Sequence, residues 1–588
     1  MSRKMFMCDF ETTTDPKDCR VWAYGWMELF NKDNYKIGNS MDEFMDWCEE
    51  IKADIYFHNE KFDGSFIVNY LLKAGYKWTT AKEAKAKTFT TIISKMGQWY
   101  MIDVCYGFKQ RGKRREKLHT VIYDSLKKLP FPVRSVAKAF NLTVEKGDID
   151  YDSPRPVGHV ITDEEKKYIY NDIFIVASAL EIQFTQGLEK MTVGSDAMGS
   201  FKTMMDKKIF KKRFPVLDPE IDASIRKAYR GGFTWVNERF QGQMIGDGLV
   251  FDVTSLYPSV MYDRELPYGV PLPFSGEYIH DEKYPLYIQH IRCEFEIKEG
   301  YIPTIQIKKN LRFKQNEYLK HSDGRVVDLY VSNVDLELIK EHYHLYDLEY
   351  LEGFKFRKKV GMFKEYIDFW IEVKEEASKT GNEAMRTLAK LMLNSLYGKF
   401  ASSMDVTGKV PYLKEDGSNG FRLGEEETKD PVYTAMGVFI TSYARDYTIR
   451  TAQSVFDRIL YCDTDSIHIT GLDVPKAIEH IVDPYKLGLW KHESTFKKAK
   501  YVRQKTYIEE LYGKMVWNEK EGKDKFKECD PEESTCTKID VKCAGMPESI
   551  KKFVTFDNFE VGFSHSGKLI PKQVSGGVVL VDTDFTIK

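Results

Sequence analysis

Hydrophobic and polar positions follow two rhythms along the chain. Met5–Phe10, Val21–Met27, Ala53–Phe57 and Thr120–Tyr123 are short, mostly apolar runs, and each predicts a strand. Phe62–Ala74 between them has helical spacing. Thr162 and Glu165 form a capping box ahead of Glu164–Gln186, which keeps the helical period throughout. The first third therefore predicts an α/β domain ending near Gly187. Glu365–Lys399 predicts two antiparallel helices broken at Lys379–Asn382, and Asp416-Gly417 marks a hairpin within Asp405–Tyr433. Pro258, Pro267, Pro271, Pro273 and Pro285 predict a turn-rich middle. Asn518–Cys536 predicts a solvated loop, and the last stretch of the chain predicts short strands with glycines. No internal repeat is visible.

Length and composition add limits. A chain of 588 residues exceeds what one hydrophobic core supports, so several domains are expected. A hydrophobic fraction of 42% with 30% charged residues predicts a soluble globular protein. Aromatics reach 14%, which serves either large cores or stacking surfaces for bases. The formal net charge of −2 does not announce a polyanionic partner, although Lys109–Lys117 and Lys207–Arg213 are basic. The nine cysteines include no CxxC pair, and Cys529, Cys536 and Cys543 match no zinc spacing, so free thiols in a reducing compartment are expected. The N-terminus reaches acidic residues too early for a signal peptide, and no apolar run approaches a membrane span.

Two groups of carboxylates stand out. Asp9 and Glu11 lie two apart on a strand that reads as buried, so they share a face and need a cation or proton between them. Asn59 and Asp63 are four apart at a helix start, and Tyr168 and Asp172 are four apart on the capped helix. In the second half, Tyr461-Cys462-Asp463-Thr464-Asp465-Ser466 lies between apolar strands, which places Asp463 and Asp465 at a hairpin tip. Asp252, in Asp252-Val253-Thr254-Ser255-Leu256-Tyr257-Pro258, follows another apolar run. Lys390, Asn394 and Tyr397 fall on one helical face.

The ordered set DxE, NxxxFD and YxxxD resembles the exonuclease motifs of proofreading DNA polymerases. DxxSLYP and YxDTDS resemble the synthetic motifs of the B family. Together with KLMLNSLYGKFAS and HESTFKKAKY, they resemble the protein-primed subgroup of the B-family DNA polymerases found in phi29-like bacteriophages, over essentially the whole chain. The resemblance implies an α/β multidomain fold: an RNase H-like 3′→5′ exonuclease domain at 1–190, then a right-hand polymerase domain. Its parts would be the palm at 191–261 and 428–537, a terminal-protein docking insertion at 262–358, fingers at 359–404, a strand-displacement insertion at 405–427 and a thumb at 538–588.

By the same resemblance, Asp9, Glu11, Asp63 and Asp172 would hold two Mg²⁺ or Mn²⁺ ions, Tyr168 would orient the attacking water, and Lys146 would steady the scissile phosphate. Asp252, Asp463 and Asp465, with Val253 in the ligand set, would hold two further ions. Tyr257 would exclude a 2′-hydroxyl, and Lys374, Arg386, Lys390, Asn394 and Tyr397 would bind the incoming dNTP. Lys505 and Tyr507 would hold the primer terminus. Thr12, His58, Asn59, Phe62, Phe66, Ser125, Leu126 and Tyr151 would guide single-stranded DNA. Tyr229, Gly231, Gly232, Thr441 and Arg445 would contact the template-primer. The implied partners are template and primer DNA, dNTPs and a terminal protein that primes, with a monomer during elongation in the cytoplasm of an infected bacterium. Extension of an ordinary nucleic-acid primer is the alternative. Relative to that family, 81–88 and 109–117 are enlarged, which predicts altered DNA contacts on the exonuclease side, and residues are added near Lys379–Asn382.

Overall fold

The computed structural model describes residues 3–307, 317–518 and 523–588. The N-terminal unit is built on an eight-stranded sheet. Its order is Asn31–Gly38, Val21–Glu28, Met5–Thr12, Asp54–Phe57, Arg114–Asp124, Trp99–Arg111, Thr88–Ile93 and Lys77–Trp78. Met5–Thr12, Asp54–Phe57 and Arg114–Asp124 run parallel, so the end of each opens onto one edge, where ligands of α/β sheets usually sit. The helix Asp163–Thr185 packs across Met5–Thr12, started by the Thr162–Glu165 capping box.

A second sheet forms the centre of the molecule. Gly248–Val253 lies between Ser466–Thr470 and Trp490–Arg503, and Ile459–Asp463 pairs with Ser466–Thr470 through the Asp463–Ser466 turn. The helix Thr434–Ser454 and the antiparallel pair Lys364–Lys379 and Glu383–Ser395 share its core. A four-stranded sheet is ordered Leu266–Ser275, Tyr343–Lys359, Leu286–Ile297 and Val327–Ser332. Residues 308–316, within the predicted 262–358 insertion, lie outside the described residues.

Two hairpins reach back to the first unit. The Asp416-Gly417 signal sits in the turn between Lys409–Leu413 and Asn419–Leu423. Asn69 Nδ2 donates to Gly417 O at 2.9 Å and to Asn419 Oδ1 at 3.0 Å, while Asn69 Oδ1 accepts from Gly576 N at 3.1 Å. Both hairpin tips are thus tied to one helix.

Several expectations are corrected. Pro267, Pro271 and Pro273 lie in the edge strand Leu266–Ser275, the place in a sheet that tolerates a residue without an N–H, and Pro258 lies early in the helix Leu256–Asp263. Asn518–Cys536 contains a strand, Lys523–Glu528, paired with Thr506–Asn518; its charge reflects an exposed edge, and 519–522 lie outside the described residues. The chain's end carries a hairpin of 11- and 10-residue strands, longer than expected. The basic run 109–117 forms the tip of a hairpin at the start of Arg114–Asp124. Asp124, at the other end of that strand, is about 30 Å from Arg114 at ~3.3 Å per residue, so the tip of the run stands away from that end of the sheet.

Candidate functional sites

The first site lies at the open edge of the N-terminal sheet. Alternation places Asp9 and Glu11 on the face covered by Asp163–Thr185, and the helix delivers Asp172. Glu11, Asp63 and Asp172 are 6%, 4% and 4% exposed. Burial, then Asp172, push Asp9 up to about 7. Burial, then Asp9, raise Glu11 and Asp63 well above the carboxylate range. Asp172 is raised by burial, against the pull of Lys146. Lys146 forms an ion pair with Asp172 Oδ2 and lies 5.0 Å from the Tyr168 ring centroid. The Tyr168 hydroxyl meets that of Tyr151 at 2.6 Å. Asp172 Oδ1 is buried without a partner.

The residues expected to guide a strand divide into two sets. Asn59 and Tyr151 are exposed, with Thr12, Phe62 and Leu126 half-buried around them. Asn59 adopts φ 75°, and its N–H donates to Asp124 Oδ1 at 3.0 Å. Phe66 and Ser125 do not offer a surface. Phe66 is 2% exposed in the core, and Ser125 is fully buried, donating to Phe57 O at 3.0 Å. His58 is held by Ser125 and by Phe131 O. Asp124 was missed in the sequence. It orders this edge by accepting from Asn59 N and Leu126 N, and its only signal is its place at a strand end before a serine.

The second site is built across three strands of the central sheet. Asp252 pairs in register with Ser466, immediately after the Asp463–Asp465 turn, and Val253 N donates to Asp465 O at 2.7 Å. Thr464 takes φ 60°, which turns the chain sharply enough to present both aspartates. Gly232 lies against it: a Cβ there would stand 2.6 Å from Thr464 Oγ1. Burial, then Asp465, push Asp252 up to about 7, and burial raises Asp465 too. Asp463 differs from this pair. Its Oδ1 accepts from Thr234 Oγ1 at 3.0 Å and Lys505 Nζ at 3.1 Å, and its Oδ2 accepts from Tyr461 at 3.1 Å. Asp252 and Asp465 are therefore the open pair, and Asp463 is tied to the Lys505 turn.

Tyr257 stacks on Tyr397 with centroids 4.0 Å apart, so residues distant in sequence form one aromatic wall. Lys390, Arg386 and Asn394 are exposed, with Lys374 half-buried beside them. Arg386 is paired with Glu383 at 2.9 Å. Burial, then Lys390, Arg386 and Lys491, lower Lys374, which marks a cluster of cations. Tyr507 is half-buried against Tyr461, and Tyr229 is half-buried beside the exposed Gly231. Thr441 and Arg445 do not reach a surface. Thr441 is 1% exposed and donates to Gly437 O at 2.9 Å; Arg445, 4% exposed, holds Asp335 and the carbonyls of Arg230 and Gly231. Arg445 thereby ties down the Arg230–Gly231 backbone, whereas Thr441 bonds only within its own helix.

Among the described residues, no three His, Cys, Asp or Glu side chains close a metal cage by themselves. Both sites are nonetheless hard-oxygen sets at high mutual repulsion. Mg²⁺ ordinarily takes one or two carboxylates plus phosphate oxygens and water, so open sets of this kind fit it.

The family model for DNA polymerase type B, organellar and viral, matches residues 46–484. The DNA polymerase of Bacillus phage Nf is 65% identical, covering 100% of both chains. That of Streptococcus phage Cp-1 is 32% identical over 99% of this chain and 98% of its own. The structure of phi29 DNA polymerase with primer-template DNA and incoming nucleotides matches with a TM-score of 0.93 at 61% identity, covering 100% of both chains. The same polymerase with single-stranded DNA also matches at 0.93. No described helix is long and apolar enough to cross a membrane.

Proposed function

The chain belongs to the type B DNA polymerases, organellar and viral, and on that premise we propose how its two acidic sites divide the work. The central site extends a primer and the N-terminal site, in residues 1–190, removes nucleotides from a 3′ end. The observation that carries this division is the presence of two separate carboxylate sets, in each of which burial and a neighbouring carboxylate raise an aspartate above its ordinary range, so that a cation or proton is needed there. In the central site the primer 3′-hydroxyl attacks the α-phosphorus of a dNTP, and pyrophosphate leaves. The chain contributes position and charge. Asp252 and Asp465 would hold divalent cations, which supply charge neutralisation and a more acidic 3′-hydroxyl. Asp463, bound to Lys505, anchors the primer platform with Tyr507. Tyr257, stacked on Tyr397, leaves no room for a 2′-hydroxyl. Lys374, Arg386, Lys390 and Asn394 face the triphosphate.

In the N-terminal site Asp9, Glu11, Asp63 and Asp172 would hold cations, Tyr168 orients water, and Lys146 holds Asp172 until phosphate arrives. Thr12, Asn59, Phe62, Leu126 and Tyr151 receive the single strand. The palm is 191–261 and 428–537, the fingers 359–404 and the thumb 538–588. Residues 262–358 dock a terminal protein, whose serine hydroxyl primes. Residues 405–427 and the final hairpin, both tied to Asn69, encircle DNA and displace the strand ahead.

Primer extension on a circular single-stranded template tests the reading. Products longer than one circle are expected, and products stopping at one circle would refute strand displacement. Incubation with terminal protein, dATP and Mg²⁺ should yield a covalent protein–nucleotide adduct. Its absence would leave a polymerase that extends only nucleic-acid primers.

A further inference from the structure

Lys491 lies on Trp490–Arg503, directly opposite Asp252 on the neighbouring antiparallel strand. Residues paired this way share a face, with Cβ atoms about 5 Å apart. The pairing depends on a register shift between Val250 and Phe251, which passes over Glu493 and resets the alternation of the strand. Trp490, one residue earlier, is fully buried and pins the strand to the core. The pairing puts the Lys491 side chain on the face of the central sheet that carries Asp252. Lys491 is one of the charges acting across this space on Lys374 of the helix Lys364–Lys379, after burial, Lys390 and Arg386. Unlike Lys146 and Lys505, it forms no ion pair with the carboxylate it faces. The other charged groups around that space are Asp465, Glu493, Glu375, Lys390 and Arg386.

We propose that Lys491 is a triphosphate-binding residue on the sheet side of the synthetic site, which completes with Lys374, Arg386 and Lys390 a ring of cations around the phosphates of the incoming nucleotide. This rests on the reading of Asp252 and Asp465 as the synthetic pair. The three other cations stand on two helices, whereas Lys491 stands on a strand hydrogen-bonded within the central sheet. It is thus a preorganised charge, in place before a nucleotide arrives. As a compact ammonium it contributes charge without the bidentate geometry of arginine.

The test uses the full chain with a dideoxy-terminated primer-template, so that nucleotide affinity is read without turnover. In K491M the dissociation constant of the next correct dNTP, measured by mobility shift of the ternary complex, should rise about tenfold. The KM for dNTP in extension should rise in parallel, with kcat within about threefold. K491R should restore most of the affinity, and exonuclease activity on single-stranded DNA should not change. If K491M folds poorly, judged by loss of primer-template binding, K491Q carries the same expectation. A dissociation constant and KM within twofold of the parent would overturn the proposal, as would a fall in kcat at unchanged KM, which would place the effect on Asp252 instead. Failure of the underlying reading looks different: D465N would then retain extension whatever residue occupies 491.

Discussion

Replacing Arg445 by alanine probes how the chain holds its nucleic-acid turn from beneath. Arg445 Nη2 lies 2.8 and 2.7 Å from the two Asp335 oxygens and its Nε lies 3.2 Å from Oδ1, a fork-to-fork pair in which the Arg445 side chain is 5% exposed and that of Asp335 16%. Its Nη1 donates to Arg230 O at 3.0 Å and to Gly231 O at 2.9 Å. Burial by itself would raise Asp335, but Arg445 outweighs it and holds the carboxyl below its ordinary value. Removing one partner of such a pair leaves a buried charge and costs about 3–5 kcal/mol. The two freed carbonyls loosen the turn that carries Gly232 onto Thr464. R445A should therefore lower stability by that amount, followed by tryptophan fluorescence in urea, and should weaken primer-template binding by at least about tenfold. R445K keeps the charge but not the fork and should fall between. The pair R445M/D335L, with no buried charge left, should cost less than R445A alone. A loss under about 1 kcal/mol in R445A with unchanged primer-template affinity would refute the positioning role.

Other consequences follow from the two acidic sites. Asp9 is raised to about 7 in the folded chain, so its contribution to stability is fully present below the ordinary carboxylate pKa and is lost as pH rises through about 7. Metal-free protein should lose about 3 kcal/mol between pH 5 and 9 through this group, divalent cation should restore it, and D9N should flatten the dependence; denaturation in EDTA across that range reads the slope, and a stability that climbs with pH would contradict it. G232A should strike Thr464 Oγ1 and Cγ2, at 2.6 and 2.7 Å, and cut extension by at least about tenfold while sparing exonuclease; T464A in that background should restore activity. Y257V should break the stack on Tyr397 and raise incorporation of ribonucleotides relative to dNTPs in single-nucleotide extension; an unchanged ratio would reject Tyr257 as the gate.

Strand alternation and one tight turn made the acidic centres legible before any coordinates. Asp9 and Glu11 sit on the covered face of their strand, and Asp252 meets the Asp463–Asp465 turn through ordinary antiparallel pairing. Burial was not legible. The resemblance marks Phe66 and Ser125 as strand guides and Thr441 and Arg445 as template-primer contacts, but only packing shows that their side chains are buried. Asp463 reads like Asp465 in sequence, and its commitment to Thr234, Tyr461 and Lys505 depends on strands from distant segments. Lys491 was hidden because a bulge, invisible in one strand alone, sets which residue faces Asp252. The charged strand Lys523–Glu528 read as a loop because an exposed edge needs no apolar side.

The most direct test of two independent acidic sites measures extension and 3′→5′ degradation side by side in D465N and in D9A/E11A, each shown to be folded. D465N should lose extension and keep degradation, and D9A/E11A should do the reverse. Loss of both activities in either folded variant would contradict the division between the sites.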